Sequence, residues 1–229
     1  MSYDKLYSKI SQKSSKICVI GLGQVGLPTA LTFCKEGYDV IGLDVNKNLV
    51  SKLNNKESPF NEYGLDELLT ICVEKGTFKA TTNLTDAITI ADVIIVCVAT
   101  PITDEIKPDL SALENVCNSL SEFSLENKLI IIESSIPPGT FEGLVIPLLG
   151  NKSKQGVNYW AAFVPERLSP GQGLDEIQST PRLIGYADEK SGILAKALYE
   201  KIVHSEILLV SIQVAEISKL VENTYRDVN

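Results

Sequence analysis

Residues 16–44 read KICVIGLGQVGLPTALTFCKEGYDVIGLD, and their order decides the fold. Ile17-Cys18-Val19-Ile20 is a short apolar strand, followed by Gly21-Leu22-Gly23-Gln24-Val25-Gly26. An apolar helical run continues to Phe33, Gly37 breaks it, and a second strand, Val40-Ile41-Gly42-Leu43, ends on Asp44. Strand, G-x-G-x-x-G, helix, strand and acid in this order form a dinucleotide-binding βαβ unit. An isolated glycine triplet could be an ordinary glycine-rich turn; here all five features fall in register. Gly21 allows the tight turn, Gly23 lets the backbone approach a pyrophosphate, and Gly26 lets the helix pack against the strand. The pyrophosphate is expected at the helix N-terminus, because unpaired N–H groups and the helix dipole favour an anion there. Asp44, eighteen residues after Gly26, is placed to accept hydrogen bonds from the adenosine ribose. Its charge would repel a 2′-phosphate, so NAD is expected rather than NADP.

The rest of the 229-residue chain sets bounds on what it does. With 44% hydrophobic residues it can bury a sizeable core, and a formal charge of −8 disfavours a nucleic-acid partner, which needs basic patches. Cys18, Cys34, Cys72, Cys97 and Cys117 show no C-x-x-C pairing and no ligand spacing with the single His204, so no metal site is expected. Cys18 and Cys97 fall in expected strands, Cys34 and Cys117 on expected helices, and all read as small buried hydrophobes. No apolar run reaches the roughly 18 residues of a membrane span, and no signal-peptide core opens the chain. The expectation is a reduced, cytoplasmic, soluble protein with no membrane partner.

Residues 1–15 are polar and read as a mobile or surface-lying extension. From 16 to 210 apolar strands alternate with amphipathic helices, which implies an α/β, Rossmann-like, doubly wound parallel sheet. Asp92 to Val98 is a continuous apolar run, the mark of a parallel strand covered on both faces. It ends at Ala99-Thr100-Pro101. Ligands bind at the carboxyl ends of such strands, so Thr100 is either a cofactor contact or a plain strand terminus. Lys128 to Ile132 is the next buried strand and leads into Glu133-Ser134-Ser135-Ile136-Pro137-Pro138-Gly139-Thr140, where Thr140 can cap the following helix. Residues 211–229 read as a helix without a stop signal, taken as the truncated start of a central helix.

On that last helix Lys219 and Asn223 are four apart and Arg226 is seven from Lys219, so all three share a face. The face is open between a solvated polar stripe and a cleft wall, where a lysine polarises an oxygen and an amide donates to it. Glu166 is open between a surface acid and a base near a strand end.

GLGQVGLPTA, VATP, ESSIPPGT, PERLSPGQ and AEISKLVENTYRDVN, in this order, resemble the UDP-glucose/GDP-mannose dehydrogenase family over residues 16–229. PER-x-x-PGQ and the ending ENTYRDVN look most like its UDP-N-acetylmannosamine dehydrogenase branch. Departures are small: Gln24 stands where the family often has Tyr, Ala99 replaces a proline, and Ser135 replaces a Thr while keeping the hydroxyl. The resemblance implies two NAD-dependent oxidations of a nucleotide sugar's C6 alcohol to the carboxylate. A cysteine thiohemiacetal and a thioester are the intermediates on that route. It assigns catalytic roles to Lys219, Asn223, Glu166 and Ser135: Lys219 stabilises the oxyanion or relays its proton, and Asn223 holds the same oxygen. Ser135 positions a water or contacts nicotinamide, and Glu166 assists hydrolysis. Arg167, Leu168 and Arg226 would contact the UDP-sugar, together with Lys219 and Asn223. Cofactor contacts are implied for Gly21, Gly23, Gln24, Val25, Gly26, Asp44, Thr100 and Ser135. The family's catalytic cysteine lies in a glycine-rich motif that this chain lacks, so the chain reads as a fragment that binds NAD without turnover. UDP-N-acetylglucosamine or UDP-glucose are the alternative substrates, and a non-catalytic NAD-binding module is the alternative of another class. A homodimer or higher homo-oligomer is expected of the full-length protein through the central helix.

Overall fold

The structure is a computed structural model that describes residues 2–150, 152–167 and 173–229, apart from the side chain of Asp227. Helix α1 (Tyr3–Ser11) leads into β1 (Lys16–Ile20), α2 (Gly26–Lys35), β2 (Asp39–Leu43), α3 (Lys47–Asn54), α4 (Leu65–Glu74) and β3 (Phe78–Thr81). The chain continues through α5 (Leu84–Ile90), β4 (Val93–Val96), α6 (Ser111–Ser121) and β5 (Leu129–Ile132). A π-helical turn (Phe141–Val145) then runs into α7 (Ile146–Leu149). After these come β6 (Trp160–Phe163), α8 (Gly173–Ser179), β7 (Arg182–Tyr186), α9 (Glu189–Tyr199), β8 (Ile207–Ser211) and α10 (Ile212–Val228).

The eight strands form one sheet in the order β3-β2-β1-β4-β5-β6-β7-β8. The order reverses between β1 and β4, which is where such sheets open a crevice. Side chains alternate across the strands and both faces are covered. Ile17, Val19, Ile95 and Ile131 join one core cluster, to which α1, α2, α4 and α9 contribute. Cys18, Ile20, Ile94 and Ile130 join the other, beneath α5, α6, α7 and α10. The expected doubly wound α/β sheet is present, with one correction: β7 runs antiparallel to β6, and β8 follows β7 in parallel. The register pairs Ala162 with Tyr186 and Phe163 with Gly185. Extending it brings the start of β7 beside the chain that leaves the carboxyl end of β6. The antiparallel turn at β7 thus brings the amino ends of β7 and β8 to the side where β1–β6 end, and β7 is the nearer of the two to the crevice.

Of the two readings of the amino-terminal stretch, mobile or surface-lying, residues 3–11 follow the second, as a helix anchored on the surface by one apolar stripe. Tyr3, Leu6, Tyr7 and Ile10 recur at i, i+3, i+4 and i+7, the spacing of an apolar helical stripe, and Leu6 and Ile10 are fully buried. The many polar residues between them hid this period. Tyr3 packs edge-on against Trp160 at 5.7 Å, and Tyr38 Oη donates to the Ile10 carbonyl at 2.8 Å. Lys9 Nζ pairs with Asp92 at 2.7 Å, at the entrance to β4. Cys97 lies just past β4 rather than inside it. Cys18, Cys34, Cys72 and Cys117 are buried as expected, and burial pushes the Cys18 and Cys117 thiols up to about 12. Among the described residues no cluster of His, Cys, Asp and Glu could hold a metal, and no helix is long and apolar enough to cross a membrane.

Replacing Leu6 or Ile10 by alanine is expected to lower the unfolding free energy by about 2–5 kcal/mol each, read from the urea midpoint at unchanged m-value. A loss below about 0.5 kcal/mol would mean that α1 rests on the surface without anchoring there.

Candidate active site and dinucleotide cleft

A cleft of about 750 Å³ opens at the carboxyl ends of the strands, over the point where the strand order reverses. Three glycines shape its floor, each for a different reason. Gly21 has φ +89°, and a Cβ there would stand 2.6 Å from the Cys97 carbonyl oxygen. A Cβ on Gly26 would stand 1.9 Å from the Gly21 oxygen, so only glycine lets α2 start directly on the turn. A Cβ on Gly23 would meet nothing within 4 Å. Gly23 is therefore not required by packing; the space above it is room for a ligand. The N-terminus of α2 has no side-chain cap, which leaves its first amides for an anion.

Asp44 closes one end of the cleft. Its carboxylate accepts from Leu22 N and Asn46 N, each at 2.9 Å, which fixes it beside the glycine turn with lone pairs to spare for ribose hydroxyls. At the other end, Thr100 Oγ1 donates to the Ser135 carbonyl at 2.6 Å and Ser134 Oγ to the Val98 carbonyl at 2.8 Å. The loops after β4 and β5 are thereby stitched together, and Thr100 is a bridging residue as well as a cleft wall. Gly21, Gly23, Gln24, Val25, Asp44, Thr100, Ser135 and Glu166 all line this one cleft, and Gly26 packs beneath it. A dinucleotide fits: an open cradle over Gly23, free amides at α2 and a fixed acid at β2 match its pyrophosphate and ribose.

Helix α10 touches the cleft indirectly, through Glu166, which lines it and is bonded to Lys219 of the helix. Glu216, Lys219 and Glu222 sit at i, i+3 and i+6, on one face. Glu216 is fully buried and accepts from Gly139 N at 2.7 Å and Phe141 N at 2.9 Å. The π-helical turn is thus capped from α10, and Thr140, expected as its cap, makes no capping bond. Lys219 is 2% exposed, which decides against a solvated stripe. Its Nζ donates to the Glu166 carbonyl at 2.5 Å and to Glu166 Oε1 at 3.0 Å. Glu166 is therefore a cleft acid tied to a buried lysine. Glu222 pairs with Arg167 at 3.0 Å, and burial lowers the Arg167 pKa despite that partner. Asn223 turns its amide oxygen to Arg226 Nη2 at 2.7 Å, and Arg226 is exposed. The structure thus brings Lys219 to Glu166 but leaves Asn223 and Arg226 further along the helix. Leu168 lies outside the described residues.

Sequence reading missed a buried cluster under the cleft. Glu133, 1% exposed, accepts from Tyr199 Oη at 2.5 Å, Cys97 Sγ at 3.1 Å and Thr29 Oγ1 at 3.3 Å. Arg182, 2% exposed at the start of β7, acts on it electrostatically. A charged residue directly after the all-apolar Leu129–Ile132 strand was the available signal; Tyr199 and Arg182, distant in sequence, gave none. Glu216 was equally hidden in a helix read for its lysine.

The sequence profile of the "UDP-glucose/GDP-mannose dehydrogenase family, NAD binding domain" matches residues 15–203. The chain belongs to the UDP-glucose/GDP-mannose dehydrogenase family. It is 39% identical over 216 residues to the UDP-N-acetyl-D-mannosamine dehydrogenase of Pyrococcus horikoshii, covering 93% of this chain and 51% of that protein. The solved structure of that relative superposes with a TM-score of 0.87 over the same 93% and 51%. The Methanocaldococcus jannaschii UDP-N-acetyl-D-mannosamine dehydrogenase is 40% identical over 217 residues, covering 93% of this chain and 49% of its own. A GDP-mannose dehydrogenase from Pseudomonas aeruginosa, solved as a ternary complex, has a TM-score of 0.88 at 29% identity, covering 93% of this chain and 50% of that one. The chain spans about half the length of the curated relatives it matches. As the NAD-binding domain of this family it takes NAD.

The glycines separate folding from binding. Gly23→Ala is expected to leave the melting temperature within about 2 °C and to weaken NAD by roughly ten-fold or more, measured by calorimetry. Gly26→Ala is expected to destabilise the fold itself, by about 2 kcal/mol or more. Equal loss of stability in both would contradict the open space over Gly23.

Proposed function

We propose that the protein carrying this chain is an NAD-dependent nucleotide-sugar 6-dehydrogenase. It oxidises the C6 alcohol of UDP-N-acetylmannosamine twice, to UDP-N-acetylmannosaminuronate. The observation that carries the reading is Glu166, which lines the dinucleotide cleft and is paired with the buried Lys219. The names of the relatives support the substrate, since the P. horikoshii and M. jannaschii proteins are both UDP-N-acetyl-D-mannosamine dehydrogenases.

Bound NAD supplies the hydride acceptor. Lys219 provides a cation held by Glu166 and aimed at the cleft wall, where it stabilises charge developing on the substrate oxygen. Glu166 accepts from Lys219 and assists hydrolysis by orienting water. Ser135, fixed by the Thr100 bridge to its carbonyl, directs its hydroxyl to water or to the nicotinamide amide. Asn223 supports the same oxygen as Lys219 once it is released from Arg226. Arg167 and Arg226, with Leu168, meet the sugar nucleotide, the guanidinium groups being suited to its diphosphate. The outward face of α10 carries Val214, Ile217, Val221, Tyr225 and Val228, all exposed; we assign it to homodimer or higher homo-oligomer contacts, as the central helix. The setting is the reducing cytoplasm.

The test is product analysis on the full-length protein with NAD and a panel of UDP-sugars. Two NADH per sugar with UDP-N-acetylmannosamine alone is expected; preference for UDP-glucose or UDP-N-acetylglucosamine would sink the substrate assignment. In the same protein Lys219→Ala should lower kcat by about 10² to 10³ with NAD affinity nearly unchanged. The 229 residues alone are expected to bind NAD and release no NADH; full sugar-dependent NADH production by them would overturn the fragment reading.

A further inference from the structure

Beneath the cleft lies a buried acid for which the reaction above has no use. Glu133 follows β5 directly and is both a residue of the cleft lining and 1% exposed. Donors from three different elements hold its carboxylate: Thr29 from α2, Cys97 from the end of β4 and Tyr199 from α9. Arg182 of β7 faces it as the nearby cation, and Glu166 beyond β6 is the nearby acid. Arg182 Nε and Nη1 have no hydrogen-bond partner. Arg182 does not line the cleft, whereas Glu133 does. Of the two, the carboxylate is the group that meets the ligand space.

Which part of the dinucleotide lies there follows from the strand order. Asp44 at the end of β2 takes the adenosine ribose and the α2 N-terminus takes the pyrophosphate. β2 lies on one side of β1, with β4 and β5 on the other. A dinucleotide laid across the reversal point must place its nicotinamide over the ends of β4 and β5. Glu133 is the buried carboxylate at that end.

We propose that Glu133 makes the cleft discriminate between the two oxidation states of its dinucleotide, holding the cationic nicotinamide of NAD⁺ more tightly than the neutral ring of NADH. The inference rests on the NAD reading of the cleft. A fixed negative charge in a poorly solvated floor attracts a positive ring and gains nothing from a neutral one. The donors that hold Glu133 keep it from swinging out to solvent. Burial raises its pKa, Arg182, Tyr199 and Cys97 oppose that rise, and Glu166 adds to it. For an enzyme that must exchange spent cofactor between oxidations, weaker retention of NADH speeds that exchange.

Calorimetric titration of the 229-residue chain with NAD⁺, NADH and ADP-ribose, which lacks the nicotinamide, tests this. Glu133→Gln is expected to raise the NAD⁺ dissociation constant about ten-fold and to leave NADH and ADP-ribose within about two-fold. A purely structural role would move all three together, and that result, or an unchanged NAD⁺ to NADH ratio, overturns the proposal. Wild-type chain that binds none of the three overturns the cofactor reading instead, and this proposal with it. If the glutamine variant does not fold by circular dichroism, wild type titrated at about pH 8.5 and about pH 6 decides. The NAD⁺ preference over NADH should shrink on acidification while ADP-ribose affinity holds, and a constant ratio overturns the proposal.

Discussion

Helix α2 can start on the glycine turn only because Gly26 has no side chain; one added carbon would lie 1.9 Å from the Gly21 oxygen. That contact sets the rest of the site. It brings the first amides of α2 over the end of β1, and it seats Gly21 against the Cys97 carbonyl at the end of β4. The end of β4 is in turn bridged to the end of β5 through Thr100 and Ser134. A shift of α2 would also move Thr29, which reaches down to Glu133. Cofactor turn and charged floor are therefore one packed unit, in which displacement at one end is felt at the other because interiors of this density do not absorb it.

The second organising fact is how α10 distributes its residues. Soluble helices normally turn the apolar stripe inward. Here Ile212 and Ala215 are buried at the amino end, but further along the inward positions are Glu216, Lys219 and Glu222. Each has a specific acceptor or donor on the carboxyl side of the sheet. Val214, Ile217, Val221 and Tyr225 are left outside. Fixing the helix by directed polar bonds rather than by interchangeable apolar contacts specifies its register, since sliding by one residue would strand buried charges. That suits a helix which must hold a lysine within hydrogen-bond distance of one glutamate.

Much of this was legible in the sequence wherever the signal was local. The βαβ unit, Asp44, and the strand ends at Thr100, Ser135 and Glu166 all follow from short stretches whose glycines, prolines and apolar runs have direct backbone meaning. What escaped is long-range. The antiparallel direction of β7 depends on the path of a connection, not on the β7 residues, which read as any buried strand does. The stripe of α1 was masked by the polar residues between its anchors. Cys97 and Glu133 looked like the end of one apolar strand and the start of a loop, and only the fold reveals that they meet each other and Tyr199. Lys219 on spacing alone was open between solvent and cleft; its near-complete burial decides against solvent.

Burial also explains why Lys219 and Glu166 must be considered together. An ammonium removed from water without a partner is costly enough that it would lose its proton instead. Glu166 supplies the counter-charge from its side chain and a further acceptor from its own carbonyl. The carboxylate is itself part of the cleft wall. On the dehydrogenase reading proposed above, a substrate oxygen entering beside it would meet a lysine already oriented, and little reorganisation would remain when charge develops on that oxygen. Removing Glu166 would therefore take away the counter-charge as well as an acceptor and strand an ammonium in the interior, so the two residues stand or fall as a pair.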